Sequence, residues 1–308
     1  MTDAAIEIRG LSKSYNGSDA LSDIDLTIFK GQFFGLLGPN GAGKSTTINI
    51  LTGLVRKNKG EITVFGKDIE NDFRFTRSQI GTAQQELSVD WFFPIEKLLY
   101  YQAGYYGISK NMAKDRIYDL LNRLGLWEKR GSRLRQLSGG MKRRFQLAKA
   151  LVHDPNIIIL DEPTAGVDVE LRHELWNYLR HLHKNGKTIL LTTHYIEEAE
   201  LLCEYVSIIH NGKVISEGTP SGLINDLGQA GITIQLKDWS EKLTKVLESY
   251  TFTRSKNHLR FSIQDTEIEM PKIISLIANN GCHIQRVKSE KSSLEDVFLN
   301  QTGRGIND

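Results

Sequence analysis

The sequence predicts an α/β protein in two parts. The larger domain, residues 1–225, is expected to hold a buried parallel sheet with an antiparallel layer and a helical subdomain over about 86–153, and residues 226–308 form a small α+β domain. Residues 6 to 28 alternate apolar and polar, as in Ile6-Glu7-Ile8 and Ile24-Asp25-Leu26-Thr27-Ile28, the period of strands with one solvated face. The runs Phe33-Phe34-Gly35-Leu36-Leu37, Ile157-Ile158-Ile159-Leu160 and Ile189-Leu190-Leu191 are apolar throughout, which suits parallel strands buried on both faces. Each run ends in a cluster of chemically active residues, and ligand sites in α/β sheets gather at the carboxyl ends of strands.

The bulk properties agree. A chain of 308 residues with 40% hydrophobic content can bury a substantial core, and a net charge of +2 gives no sign of a nucleic-acid-binding surface. The two cysteines, Cys203 and Cys282, are too few for a disulfide framework and fit a reducing compartment as ordinary buried thiols. Met1 to Glu7 lacks a basic segment leading into an apolar one, so the cytosol is expected. No apolar run reaches the roughly 18 to 20 residues of a spanning helix, so membrane work would need a separate anchor.

Between about 86 and 153 the pattern turns helical, with Trp91, Phe92, Phe93, Tyr100, Tyr101, Tyr105 and Tyr106 near its start. Asn211-Gly212 reads as a hairpin turn and Gly218-Thr219-Pro220 as a breaker, which puts a boundary near residue 225. Beyond it, strand-like Ile232 to Leu236, helical Trp239 to Tyr250, strand-like Leu259 to Ile263 and helical Glu267 to Ala278 precede a last strand. No internal duplication is seen, so the chain holds one copy of the larger domain.

Gly38-Pro39-Asn40-Gly41-Ala42-Gly43-Lys44-Ser45 satisfies G-x-x-x-x-G-K-[ST], between a buried strand and a helical stretch running from Thr46 to Leu54. Its glycines let backbone N–H groups and the helix N-terminus face a phosphate, Lys44 neutralises the outer phosphates, and Ser45 is expected to ligate Mg²⁺. Asp161-Glu162-Pro163 places two carboxylates at a strand end, where alternation would send them opposite ways. Asp161 would hold hydrated Mg²⁺, and Glu162 would orient or deprotonate a water.

Leu137-Ser138-Gly139-Gly140-Met141 reads locally as a capped helix start, with Ser138 as the cap and two glycines admitting a phosphate to the freed N–H groups. Together with the P-loop it resembles the signature of ATP-binding cassette (ABC) proteins. The resemblance implies a P-loop ABC nucleotide-binding domain in which Ser138, Gly139 and Gly140 complete the ATP site of the opposite subunit. A single cassette then requires a second copy of itself. By the same resemblance Tyr15 stacks on adenine, Gln85 touches Mg²⁺, Asp168 of Ala165-Gly166-Val167-Asp168 faces the partner subunit, and His194 reads the γ-phosphate. Gln84 stands where many relatives have proline, so either Gln84 or Gln85 can be the glutamine that touches Mg²⁺.

Other polar groups read more plainly. His173, His181 and His183 lack the companions of a metal site and suit a solvated helix face. Arg130, Arg133, Arg135, Lys142, Arg143 and Arg144 read equally as a solvated face or as an attraction for phosphates or an anionic membrane. The stretches Leu137 to Arg144, Thr192 to Glu200 and Ser293-Leu294-Glu295-Asp296-Val297-Phe298 resemble ATPase subunits of bacterial ABC-2-type exporters, drug-resistance types among them. That implies Mg²⁺-dependent ATP hydrolysis coupled to a separate multi-span ABC-2-type permease at the inner face of the plasma membrane, with no nucleic acid. The aromatics from Trp91 to Tyr106 read either as the docking surface for that permease or as a local core. A soluble ATPase acting on ribosomes or nucleic acid and a non-transport regulatory cassette are the alternatives.

Overall fold

The computed structural model describes residues 3–84, 92–226, 230–239, 243, 246–247, 249–263, 266–290 and 293–302. The first unit opens with the hairpin β1 (Ala4–Tyr15) and β2 (Ser18–Phe29), closed by Asn16-Gly17, both at positive φ as the tight two-residue turn demands. With β4 (Lys59–Val64) and β5 (Lys67–Asp68) they form a 4-stranded antiparallel sheet in the order β2-β1-β4-β5. This is the half-solvated layer that the alternation announces.

The central sheet has 6 strands, drawn from β3 (Phe33–Leu37), β6 (Ile80–Ala83), β7 (Ile157–Asp161), β8 (Thr188–Thr193), β9 (Tyr205–His210) and β10 (Lys213–Gly218), in the order β10-β9-β3-β8-β7-β6. All neighbours run parallel except β10, which returns from β9 through Asn211-Gly212. The three apolar runs are thus adjacent central strands, and every residue of β3, β7 and β8 is buried. Ile8, Leu26, Ile48, Ile62, Phe34, Ile159 and Leu190 belong to one core shared by the two sheets and the first helix.

The helices are α1 (Lys44–Leu51), α2 (Phe73–Gln79), α3 (Ile95–Tyr105), α4 (Lys110–Arg123), α5 (Gly139–Leu151), α6 (Val169–Lys184) and α7 (Ile196–Leu202). The described part of the helical stretch thus consists of α3, α4 and α5 with short 3-10 turns between them. Helix α1 starts and stops earlier than the expected 46–54, because the backbone of the P-loop already turns helical at Lys44.

At the seam between α3 and the sheet, His153 stacks face to face on Tyr106, ring centroids 3.6 Å apart, with Nε2 3.1 Å from the Ile80 carbonyl. Burial holds its pKa down to about 4 against an ordinary 6.5. The unfolded chain takes up this proton below about 6.5 while the folded chain does not, so stability is full above that pH and lost as pH falls toward 4. Urea unfolding is expected to show a loss of about 1 to 3 kcal/mol over that window after allowing for solvent screening. His153→Gln should flatten it, and equal pH slopes in the two proteins would refute the assignment.

The chain divides into two compact units between Thr219 and Pro220. Helix α8 (Pro220–Asp226) belongs to the second because it packs on the helix Leu294–Thr302, a long-range contact invisible to a local composition shift at 225. That unit holds a 4-stranded antiparallel sheet of β11 (Ala230–Leu236), β12 (Thr251–Ser255), β13 (His258–Ile263) and β14 (Ile284–Glu290), ordered β12-β13-β11-β14. The helix Thr266–Asn279 contributes Ile273 and Ile277 to its core, with Ile232, Ile234, Leu259 and Phe261. Strand β12 and the last helix escape the sequence reading. As an edge strand, β12 packs only Phe252 toward the core and leaves its other positions exposed, so its apolar period is too weak to read.

Candidate functional site

Sheet register brings the motifs together. Leu37 pairs with Thr193, and Thr192 pairs with Asp161, so Gly38, Glu162 and His194 leave the sheet at the same edge. The loop that follows β3 curls through Gly41 at φ 82° and Gly43 at φ 115°, conformations that side-chain-bearing residues rarely adopt. A Cβ on Gly43 would stand 2.8 Å from the Ala20 carbonyl of β2. Tyr15 lies near the turn that opens β2, 44% exposed, with Lys13 Nζ 4.8 Å from its ring centroid. Lys44 is buried and donates to the carbonyls of Gly38 at 2.6 Å and Pro39 at 3.0 Å. Burial pushes its pKa down, while the charges of Glu162 and Asp161 pull it back up. Ser45 is exposed at the head of α1, with Thr46 beside it.

Asp161 ends β7 and accepts from the Thr192 hydroxyl. Glu162 has left the strand. Its φ of 48° is left-handed, a strained choice for a non-glycine residue, and its N–H donates to the Thr192 carbonyl at 3.0 Å. Strand alternation therefore does not separate the two carboxylates, as the sequence reading has it; a turn does. The turn sets a Glu162 Oε1 oxygen 3.0 Å from Nδ1 of His194, the residue just past β8. A buried carboxylate held by an imidazole at a strand end can accept a proton from, or orient, a bound water.

Ser138 caps α5 by accepting from the Met141 N–H at 3.3 Å, and Asp168 caps α6 by accepting from the Leu171 N–H at 2.9 Å. The two glycines of the signature differ. A Cβ on Gly139 would meet nothing within 4 Å, whereas one on Gly140 would lie 2.2 Å from Leu171 Cδ2, so a side chain there would have to displace the Leu171 methyl of α6. Gln85 and Trp91 lie outside the described residues. The Gln84 carbonyl accepts from Gln146 Nε2 at 2.8 Å and from Arg143 Nη1 at 3.0 Å.

In sequence Arg143 groups with its neighbours as a solvated face or an attraction for phosphates or an anionic membrane, and for this residue the structure corrects both readings. It is buried, and its guanidinium also donates to the carbonyls of Pro163 at 2.6 Å, Asp161 at 3.0 Å and Glu162. Burial lowers its pKa, while the charges of Asp161, Glu162 and Glu198 counter that shift. Glu198, unremarked in the sequence, is fully buried and accepts from Trp176 Nε1 at 3.0 Å and from the Thr164 hydroxyl. It ties α7 to α6 and to the turn after Glu162. A buried arginine and a buried glutamate look like surface charge in sequence, because only the fold shows what surrounds them. The helix histidines part company: His173 packs edge-on to Trp176, His181 meets Asn185, and His183 meets the Gly31 carbonyl.

The chemistry fits a magnesium nucleoside triphosphate. A Cβ on Gly38 or Gly43 would run into the Ile209 or Ala20 carbonyl, so only glycine lets the loop take this course, and the Lys44 ammonium lies on the loop carbonyls of Gly38 and Pro39 at the start of α1. Among the described residues no three His, Cys, Asp or Glu side chains gather as a metal cage. A hard cation held by few protein oxygens plus phosphate is the manner of Mg²⁺, and Ser45 and Asp161 are the hard-oxygen side chains that would hold it.

Residues 21–165 match the ABC transporter family, and residues 218–302 match the family described as ATP-binding protein DrrA1-3-like, C-terminal domain. The Nod factor export ATP-binding protein I of Cupriavidus pinatubonensis is 37% identical over 305 residues, covering 99% of this chain and 93% of that protein. Its namesake from Sinorhizobium fredii is 38% identical over 307 residues, covering 100% and 88%. A solved ATP-binding subunit of an ABC transporter superposes with a TM-score of 0.68 at 30% identity, over 73% of this chain and 93% of that one. A dimeric ATP-binding cassette in a post-hydrolysis state with ADP and Pi superposes at 0.65 with 25% identity, over 70% and 98%. The two Nod factor relatives are export ATP-binding proteins by name, which favours an exporter over a ribosome-linked or regulatory ATPase.

Proposed function

Because this chain belongs to the ATP-binding subunits of ABC transporters, in the exporter group that carries a DrrA1-3-like C-terminal domain, we propose that it binds and hydrolyses Mg-ATP to drive export through a separate ABC-2-type permease. Two copies close on two nucleotides, and the pair sits on the inner face of the plasma membrane through the permease. The observation that carries this reading is the Glu162 carboxylate, buried and 3.0 Å from His194 at the strand end shared with the P-loop.

Each residue has a task in that reading. Tyr15 stacks on the adenine, while the backbone from Gly38 through Thr46, Pro39, Asn40 and Ala42 included, wraps the phosphates and Lys44 neutralises them. Mg²⁺, held by Ser45, Asp161 and Gln85, would screen phosphate charge. Glu162 orients a water and takes its proton, and His194 holds the carboxylate in place. Ser138, Gly139 and Gly140 serve the partner's nucleotide, and Asp168 faces the partner.

For the permease contact we assign the face around α3, where Phe92 is 73% and Tyr105 84% exposed and Tyr101 is also exposed, while Tyr106 packs inward on His153. Tagged Glu162→Gln protein, purified with Mg-ATP from solubilised membranes of its host, is expected to bring down a multi-span protein in equal amount. Recovery of ribosomes or soluble proteins alone would sink the transporter reading. Adding Phe92→Ala and Tyr105→Ala should lower that recovery about tenfold or more with ATP affinity unchanged, as loss of exposed aromatic anchors does at interfaces. Unchanged recovery removes the docking face and leaves the ATPase.

A further inference from the structure

The second unit carries a site on residues that take no part in the nucleotide chemistry. Because Ile232, Ile234, Leu236, Leu259, Phe261 and Ile263 turn into the core, Thr233 and Gln235 of β11 and His258 and Arg260 of β13 turn outward. Val287 of β14 also packs on that core, which turns Arg286 and Lys288 outward as well. Register then sets two rows across the central strand: Arg260, Thr233 and Lys288 in one, His258, Gln235 and Arg286 in the other. Strands about 4.8 Å apart leave the two basic positions of a row about 10 Å from each other, with a neutral hydrogen-bonding residue between them.

Thr233, Gln235, His258, Arg286 and Lys288 line a depression of about 250 Å³, and among the described residues no carboxylate lines it. The size and lining narrow the ligand. Pockets for drug-sized molecules run from roughly 300 to 1,000 Å³, so this one suits a smaller group than a nucleotide. Among the described residues no Phe, Tyr or Trp lines it and His258 is its single ring, so it lacks the run of stacking platforms on which single-stranded nucleic acid lays successive bases. A phosphate group offers several acceptor oxygens and up to two negative charges. A guanidinium fork, an ammonium and the neutral donors of Thr233 and Gln235 match that shape and charge.

We infer that this depression binds a small phosphate-bearing anion, with Arg286 and Lys288 supplying the charge and Thr233, Gln235 and His258 hydrogen bonds. The phosphate comes either from a soluble molecule or from a lipid headgroup, and one experiment separates the two. The full-length protein is saturated with Mg²⁺ and a non-hydrolysable ATP analogue, so that the P-loop is filled. It is then titrated with pyrophosphate in one arm and with phosphatidylglycerol vesicles in the other, phosphatidylcholine serving as the blank.

Saturable binding is expected in at least one arm, weakened about tenfold or more in the double variant Arg286→Ala, Lys288→Ala and weakened less in Arg286→Lys, which keeps the charge but loses the fork. Binding of pyrophosphate assigns a soluble ligand, and binding confined to anionic vesicles assigns a headgroup. Both residues are exposed, so the double variant should fold, and its melting temperature is checked against the parent. Wild-type affinity in the double variant, or no saturable binding in either arm, overturns the site.

Discussion

Glu162→Gln is expected to bind ATP much as the parent does and to hydrolyse it about 10²- to 10⁴-fold more slowly, the range a positioned general base contributes. That is a barrier increase of about 3 to 5 kcal/mol. The reasoning is local. Glutamine keeps the shape of glutamate and an oxygen that can still accept from His194, so the left-handed turn and the P-loop should survive. What disappears is the carboxylate that accepts a proton. Two outcomes go together: single-turnover hydrolysis collapses, and dimer accumulates on a sizing column with Mg-ATP because closure is no longer undone. Turnover within tenfold of the parent would move the role of base to another group. Lys44→Ala is the counterpart and should lose nucleotide affinity first, because it removes the cation of the phosphate cradle.

Arg143→Ala carries the second large effect. This side chain leaves α5, the helix that begins with the signature, and holds the backbone carbonyls of Asp161, Glu162 and Pro163 together with that of Gln84. Charge-assisted hydrogen bonds contribute about 1.5 to 3 kcal/mol each, and stranding several buried carbonyls at once is expected to cost about 3 to 5 kcal/mol in all. For a unit of this size the melting temperature should fall by roughly 6 to 20 °C. Activity gives a finer readout. Because the Glu162 peptide loses its anchor while the P-loop keeps all of its own contacts, kcat should fall with little change in ATP affinity. Lysine should restore only part of either, since an ammonium cannot span carbonyls that a planar fork reaches together. A variant that melts like the parent and turns over at the parental rate would show that the carbonyls are held without it.

How much of this was legible beforehand depended on how local each signal is. The three apolar runs announced central buried strands because burial on both faces leaves no room for alternation, and they are β3, β7 and β8. The P-loop, the cap Ser138 and the hairpin turn at Asn211-Gly212 were equally readable, since each depends on residues within a few positions of one another. Edge strand β12 left only Phe252 as a trace, and α8 changed units for a contact with residues far along the chain. The orientation of Glu162 was misread for a related reason: whether the residue after a strand continues it or turns left-handed depends on what its N–H finds, and here it finds Thr192 on a neighbouring strand.

By itself, then, the sequence determined the class of chemistry, because a phosphate cradle, a carboxylate pair and a capped signature are each written in consecutive residues whose backbone and side-chain options are few. Tertiary structure alone decided which charges are buried and what they hold. Arg143 and Glu198 carry the same letters as the solvated Arg135 and Glu197, and the free energy that separates these roles comes from neighbours brought in by β7, α6 and β8. The basic depression on the second sheet arises in the same way, from three strands whose register sets Arg286 and His258 on either side of Gln235. Charge can be read residue by residue, but desolvation and proximity exist only once the chain has folded.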